Sequence, residues 1–267
     1  MRNGRLTAYI EGIGLLGPGL GAWASSAAVV SGESVYEMQP TVLTAPESLP
    51  PAERRRVGRV VKLALDVGLQ ATTQAGTPPG SLAAVFSSSG GDGYNCHEIC
   101  QALVSDRQLS PTRFHNSVHN AAAGYWSIAT GAQQPSNSLG GYDWSFGVGL
   151  LEAQVQVVVE HRRVLLVAYD AQYLPPLFAK RPIPDAFAVA FVLAPERSSA
   201  ALARMDVCLS DSPPEKMPEA GLEQLRASIP AARSLPLLRQ LARKAAARVN
   251  VEYLDGRSLE VEIAPCR

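Results

Sequence analysis

The 267-residue chain has little of several things, and each shortage excludes a class of protein. It holds four cysteines, too few and too irregularly spaced for the disulfide framework of a small secreted domain. It has no excess of either charge, with 24 lysines and arginines against 24 aspartates and glutamates. A nucleic-acid partner is therefore not expected, because phosphate neutralisation asks for a basic excess on one face. The arginines at 54, 55 and 56 and the basic group Arg239, Arg243, Lys244 and Arg248 read as solvated helix faces. No apolar run approaches the roughly 18 residues of a membrane span. The stretch from Leu6 to Val30 is interrupted by Glu11 and by glycines at 12, 14, 17, 19 and 21, which also breaks any signal-peptide helix. A cytoplasmic location is the expectation. There is no internal repeat and no low-complexity tract.

What is present is the composition of an ordinary globular protein, 46% hydrophobic and 18% charged, large enough to hold a core without disulfides or metal. Leu6 to Glu11 reads as a strand followed by a glycine-proline turn. Arg54 to Gln74 has apolar residues at Val57, Val60, Val61, Ala64, Leu65 and Gly68, one face of a helix. Leu82 to Phe86 is an apolar run without alternation, as in a strand covered on both faces. A helix then carries Cys96, Ile99, Cys100, Leu103 and Val104, a spacing that predicts an inward face. Ala121 to Thr130 reads as helix and Pro135 to Gly140 as a short strand. Trp144 to His161 is apolar nearly all round and predicts a buried helix. Val164 to Ala168 and Ala186 to Leu193 are further apolar strands. Glu215 to Val249 reads as mostly helix, and Asp255-Gly256 between alternating residues marks a hairpin. Strands alternating with helices predict α/β layers.

Three patterns invite chemistry. Gly12-Ile13-Gly14-Leu15-Leu16-Gly17 fits a dinucleotide fingerprint in letters, but Pro18, Gly19 and Gly21 disfavour the helix that must follow. His115 and His119 stand four apart, with no carboxylate or cysteine near in sequence to complete a metal site. Cys96 and Cys100 share an apolar face and read as small hydrophobes. The third pattern is the richest. Pro135-Ser136-Asn137-Ser138-Leu139-Gly140-Gly141-Tyr142-Asp143-Trp144-Ser145 is a strand, a small-residue turn and the start of a buried helix. A group at such a helix start sits in a positive field that suits an acyl-transfer nucleophile.

This segment resembles the nucleophile elbow of β-ketoacyl synthases, where a Pro-Ser-x-Ser strand runs into Thr-Ala-Cys-x-Ser. Ser145 matches the serine two residues after the family's cysteine, which places Asp143 at the cysteine position. Ala8 to Gly17 resembles the family's opening strand, and Phe86 to Gly93 its Gly/Ser-rich loop. Asn120 to Gly124 is similar to the Asn-x-x-Ala-Gly before the elbow. Val167 to Ala171 and Ala186 to Glu196 resemble later strands. The likeness spans about residues 6 to 210. It implies a thiolase-like layered α/β fold, the N-terminal half of a β-ketoacyl synthase. Residues 1–210 would form that domain and 211–267 a short α+β extension packed on it.

The resemblance also implies what the chain does not do. A carboxylate at position 143 cannot form the family's thioester, and no histidine follows His161, so no catalytic residue and no cofactor or metal is expected. The chain then resembles a short chain length factor, as in type II polyketide and aryl polyene systems. Its implied partners are a β-ketoacyl synthase subunit in a heterodimer and, through the complex, an acyl carrier protein. The elbow would be Tyr142, Asp143, Trp144 and Ser145, with Asp143 also suited to capping the helix. The partner surface and product tunnel would draw on Phe114, His115, Asn116, Ser117, Val118 and His119, with Ser136, Asn137, Ser138 and Leu139. Two other readings stay open: acyl transfer by Ser145 with His115 or His119 as base, and dinucleotide binding.

Overall fold

The apolar runs at Leu82 and Val164 lack alternation because the strands they form are covered by helices on both faces. The computed structural model describes residues 4–266. Its elements are β1 (Leu6–Leu16), α1 (Trp23–Ser31), α2 (Pro51–Arg54), α3 (Arg59–Ala75), β2 (Ala83–Ser87), α4 (Gly93–Val104), α5 (Pro111–His115), α6 (Ala121–Thr130) and β3 (Ser136–Leu139). Then follow α7 (Ser145–Glu160), β4 (Val164–Asp170), α8 (Leu177–Lys180), β5 (Phe187–Ala194), β6 (Ala203–Ser210), α9 (Ala220–Ser228), α10 (Leu235–Arg243), β7 (Ala247–Leu254) and β8 (Arg257–Pro265). Short 3₁₀ turns occupy Tyr142–Trp144 and Pro230–Ser234.

All eight strands join one sheet in the order β3-β2-β4-β5-β1-β6-β8-β7. β3, β2 and β4 run parallel; every other pairing is antiparallel. Every residue of β2, β4 and β5 is buried. One face of the sheet packs against α3 and α6, around Leu63, Leu65, Trp126 and Phe86. The other packs against α7 and the helical part of the tail, around Phe146, Leu150, Leu225 and Leu238. The result is a three-layer α/β/α fold.

The glycine segment after Glu11 is strand, not turn: β1 continues to Leu16. Its glycines serve packing. A β-carbon on Gly12 would stand 2.0 Å from the Ala71 carbonyl oxygen, and one on Gly14 would stand 1.9 Å from that of Val67. The backbone of α3 lies directly on the strand, so no dinucleotide loop exists here, and the fingerprint reading falls.

The helix expected over Arg54–Gln74 is two, because Gly58 is extended and caps α3. The face of α4 expected to turn inward turns outward: Cys96 and Cys100 are exposed, as are Leu103 and Val104. What anchors α4 is Asn95, buried, whose amide donates to the Arg113 carbonyl at 2.7 Å. Helix α7 is buried along Phe146, Leu150 and Val157, but Val155 and Val159 reach the surface. In the tail, helix gives way to β7 at Ala247 and the hairpin forms about Asp255-Gly256 as expected. An additional strand, β6, links it to the sheet by pairing with both β1 and β8.

Candidate functional site

Strand β3 ends the sheet, and among the described residues no strand pairs with its outer edge. Ser136 and Asn137 are exposed, and Asn137 donates to Glu152 of α7 at 2.9 Å. Beyond Leu139 the chain turns at Gly140-Gly141, passes Tyr142 in a left-handed conformation (φ 55°) and enters α7. The strand, small-residue turn and helix start expected from the sequence are therefore present, with Asp143 two residues before α7 begins. Two hydrogen bonds set it: Gly141 N donates to Ser145 Oγ at 3.0 Å, and that hydroxyl donates to the Tyr142 carbonyl at 2.7 Å. Ser87 at the end of β2 donates to the Ser145 carbonyl at 2.6 Å, fixing the elbow to the sheet.

Asp143 does not cap α7. The residue at the cap position is Trp144, and no side chain bonds the free amides there. The carboxylate is claimed by two arginines: Arg181 Nη2 at 2.6 Å from Oδ1, and Arg233 Nη2 at 3.3 Å from Oδ2. A charged donor outcompetes backbone amides for an ionised carboxylate, which explains the difference. Arg181 also stacks on the Tyr142 ring, 3.7 Å from its centroid. Burial, with repulsion from Arg226 and Arg181, lowers the Arg233 guanidinium, while Asp143 opposes that shift.

Behind the elbow lies Asp170, the last residue of β4 and fully buried. Its Oδ1 accepts from Ser89 N at 2.8 Å and Ser89 Oγ at 2.6 Å, and its Oδ2 from Ala231 N at 2.9 Å. Burial pushes its carboxyl up to about 6, against the lowering effect of those hydrogen bonds and of Arg181. The sequence reading singled out neither Asp170 nor the two arginines. Asp170 was signalled by a carboxylate ending an otherwise apolar strand; the arginines arrive from distant segments and carry no local signal.

Ser145 is not placed for nucleophilic attack. It is buried, its hydroxyl hydrogen goes to a backbone carbonyl, and the Nε2 of His119 lies 3.1 Å from the Ser88 carbonyl oxygen instead. Nor do the two histidines share a helix, since α5 ends at His115. Most of the residues expected at a partner surface do converge. Phe114, His115, Asn116 and Val118 line a cavity of about 610 Å³ together with Asn120 and Gly124. His119, Ser136 and Ser138 line another of about 550 Å³ that shares Asn120 and Gly124. Phe114, Val118 and Ile128 are exposed apolar residues around it. Asn116 is buried and braces the wall, donating to the Arg56 carbonyl at 2.9 Å and accepting from the Tyr125 hydroxyl at 3.1 Å. The Ser117 hydroxyl turns back to the Phe114 carbonyl at 2.8 Å. Leu139 packs against the core, and neither it nor Ser117 or Asn137 lines these cavities.

Helical layers on both faces of a mixed sheet, with a small-residue elbow feeding a buried helix, define a thiolase-like protein. Residues 22–253 match the family described as β-ketoacyl synthase, N-terminal domain, and the chain belongs to that family. Among solved structures it is similar to the ketosynthase (ApeO) in complex with its chain length factor (ApeC) from Xenorhabdus doucetiae. That match has 24% identity and a TM-score of 0.73, over 96% of this chain and 99% of the other. The ishigamide ketosynthase/chain length factor matches at 14% identity and a TM-score of 0.72, over 98% and 100%. The AntDE:AntF complex, a type II acyl-carrier protein with its ketosynthase, matches at 11% and 0.75, also over 98% and 100%. No curated protein sequence matches the chain. Among the described residues, no helix is long and apolar enough to cross a membrane.

Proposed function

We propose that this chain is a non-condensing, chain length factor-like subunit that pairs with a β-ketoacyl synthase and shapes the tunnel for a growing acyl or polyene chain. The observation that carries this reading is Asp143, a carboxylate at the elbow with both oxygens engaged by arginines. It can neither be acylated as a thiol is nor act as a free base. What remains is shape. The open edge of β3 and the two cavities beside it offer a partner backbone groups to pair with and apolar surface to bury. An unpaired edge is rarely left exposed, and an obligate interface of about 2,000 Å² or more is expected there.

Structures similar in fold are complexes of a ketosynthase with its chain length factor, and one includes an acyl-carrier protein. By that likeness the synthase is the direct partner, and a carrier protein meets this chain through the complex. The division expected at residue 210 gains no support from the family match, which runs over residues 22–253. A cytoplasmic location goes with this reading, and among the described residues no helix is long and apolar enough to cross a membrane. The test is co-expression with the ketosynthase encoded nearest to it, followed by size-exclusion chromatography and product mass analysis. A stable one-to-one complex with a product of defined length is expected. A chain that stays apart from every such synthase would overturn the reading.

A further inference from the structure

The pairing of Asp143 with two arginines is one end of a longer arrangement. Arg233 bonds Glu252 through its other terminal nitrogen, and the second oxygen of Glu252 takes Arg226. Arg226 in turn forks onto Glu223, with its Nε and Nη2 each 2.7 Å from a carboxylate oxygen. Carboxylates and guanidiniums thus alternate, three of each, from the elbow into the tail. Four of the side chains are well buried: Arg226 is 8% exposed, Arg181 13%, Arg233 14% and Glu252 15%.

Three separate stretches of chain meet here. Asp143 belongs to the elbow, Arg181 to the loop before β5, and the remaining four to α9, the 3₁₀ turn at Pro230–Ser234 and β7. The same 3₁₀ turn is held from below by Asp170, which accepts the Ala231 amide. Asp143 itself is 38% exposed, so its own desolvation is modest. The large cost of losing it would fall on the arginines. Without the carboxylate, Arg233 keeps only Glu252 and Arg181 keeps no carboxylate partner among the described residues, both largely buried, the situation in which removing one partner is strongly destabilising. Replacing a buried ion pair by apolar packing is often neutral, whereas removing one partner alone is costly.

We propose that Asp143 is the joint that docks the chain's own tail onto the elbow, so that the position of a nucleophile has become the anchor of an ion-pair chain. Asp143 thereby positions three segments relative to one another: the exit from β3, the loop carrying Arg181, and the tail from Glu223 to Glu252. The inference rests on contacts within this chain and stands whether or not the chain pairs with a synthase.

Hydrogen exchange on the full-length chain, followed by peptide mass analysis, tests it. In Asp143→Asn, amides of 226–234 and of 177–183 are expected to exchange about tenfold faster or more. Arg233→Met should loosen the same tail segment, and the double variant should be looser by clearly less than the sum of the two single ones, because both remove the Asp143–Arg233 pair. Should Asp143→Asn fail to accumulate, Arg233→Met and Arg181→Met carry the test. Arg233→Met must loosen 226–234, while Arg181→Met, which leaves the Asp143–Arg233 pair in place, must keep that segment within about twofold of wild type. Faster exchange confined to residues 140–146 in Asp143→Asn, or additive effects in the double variant, would overturn the proposal. So would an Arg233→Met chain as protected as wild type.

Discussion

A β-carbon on Gly147 would stand 2.1 Å from the carbonyl oxygen of Glu252, so the first turn of α7 and strand β7 are in backbone contact. Gly147→Ala must force the two apart, and neither is a flexible side chain that can swing away. We expect a loss of about 1–3 kcal/mol or more, as in other overpacked cores, read from the urea midpoint. Gly124→Ala is the control. No atom lies within 4 Å of a β-carbon there, and α6 should gain roughly 0.4–1 kcal/mol from the better helix former.

Asp170 should make stability depend on pH in an unusual direction. Its carboxyl is pushed up to about 6 by burial, whereas in the unfolded chain it titrates near ~3.9. Between these values the folded state holds the extra proton, so this group's contribution falls as pH rises and stays low above about 6. The stability advantage of wild type over Asp170→Ala should therefore be larger near pH ~4.5 than near ~7.5. Asp170→Asn removes the charge but should still cost about 1–3 kcal/mol. One of the two oxygens that accept from Ser89 and Ala231 becomes a donor facing a donor.

The elbow and its helix were legible in the sequence because their signals are local: small residues for a tight turn, then sixteen residues of largely apolar helix. The central strands were legible for the same reason. The second half of β1 was not, since Gly12 and Gly14 look like turn formers and only the approach of α3 reveals their purpose. Strand β6 carries a readable alternation in Ala203-Arg204-Met205-Asp206-Val207, which a search for unbroken apolar runs passes over. The outward face of α4 defied its spacing because Asn95, a polar residue, makes the inward bond. The partners of Asp143 had no signature at all. Arg181 is 38 positions away and Arg233 farther, so only the folded chain brings them together.

Condensation should be absent from the isolated chain. With malonyl- and acyl-carrier substrates we expect no β-keto product by mass spectrometry, and Asp143→Cys should not restore it. A thiol there would replace the carboxylate that neutralises Arg181 and Arg233, yet would gain no decarboxylating histidine. Robust turnover by the wild-type chain alone would contradict this.

Filling the cavity beside β3 should change what the complex makes without stopping it. Val118 is half exposed on the wall of the 610 Å³ cavity. With the partner synthase present, Val118→Trp should shorten the product and leave yield within about threefold, because volume is removed and no catalytic group is. Unchanged product length would place the tunnel elsewhere.

The two exposed thiols should differ in reactivity. Cys96 and Cys100 should both alkylate under native conditions, Cys96 more slowly at neutral pH, because partial burial and Asp92 raise its thiol. Cys208 and Cys266 are only partly exposed and should lag behind Cys100. Peptide mapping after a maleimide pulse checks the order.

The two ends of the sheet are unequal. At the β7 end, the Asn250 carbonyl already accepts the Glu215 amide, and the Glu252 carbonyl is pressed against Gly147. At the β3 end no further strand pairs among the described residues. A sheet with one usable edge can recruit a single neighbour and then has nothing left to offer, whereas two free edges would let copies add end to end into filaments. If a partner takes the β3 edge, as proposed, this partial cover of β7 by the tail would favour a closed pair over end-to-end growth.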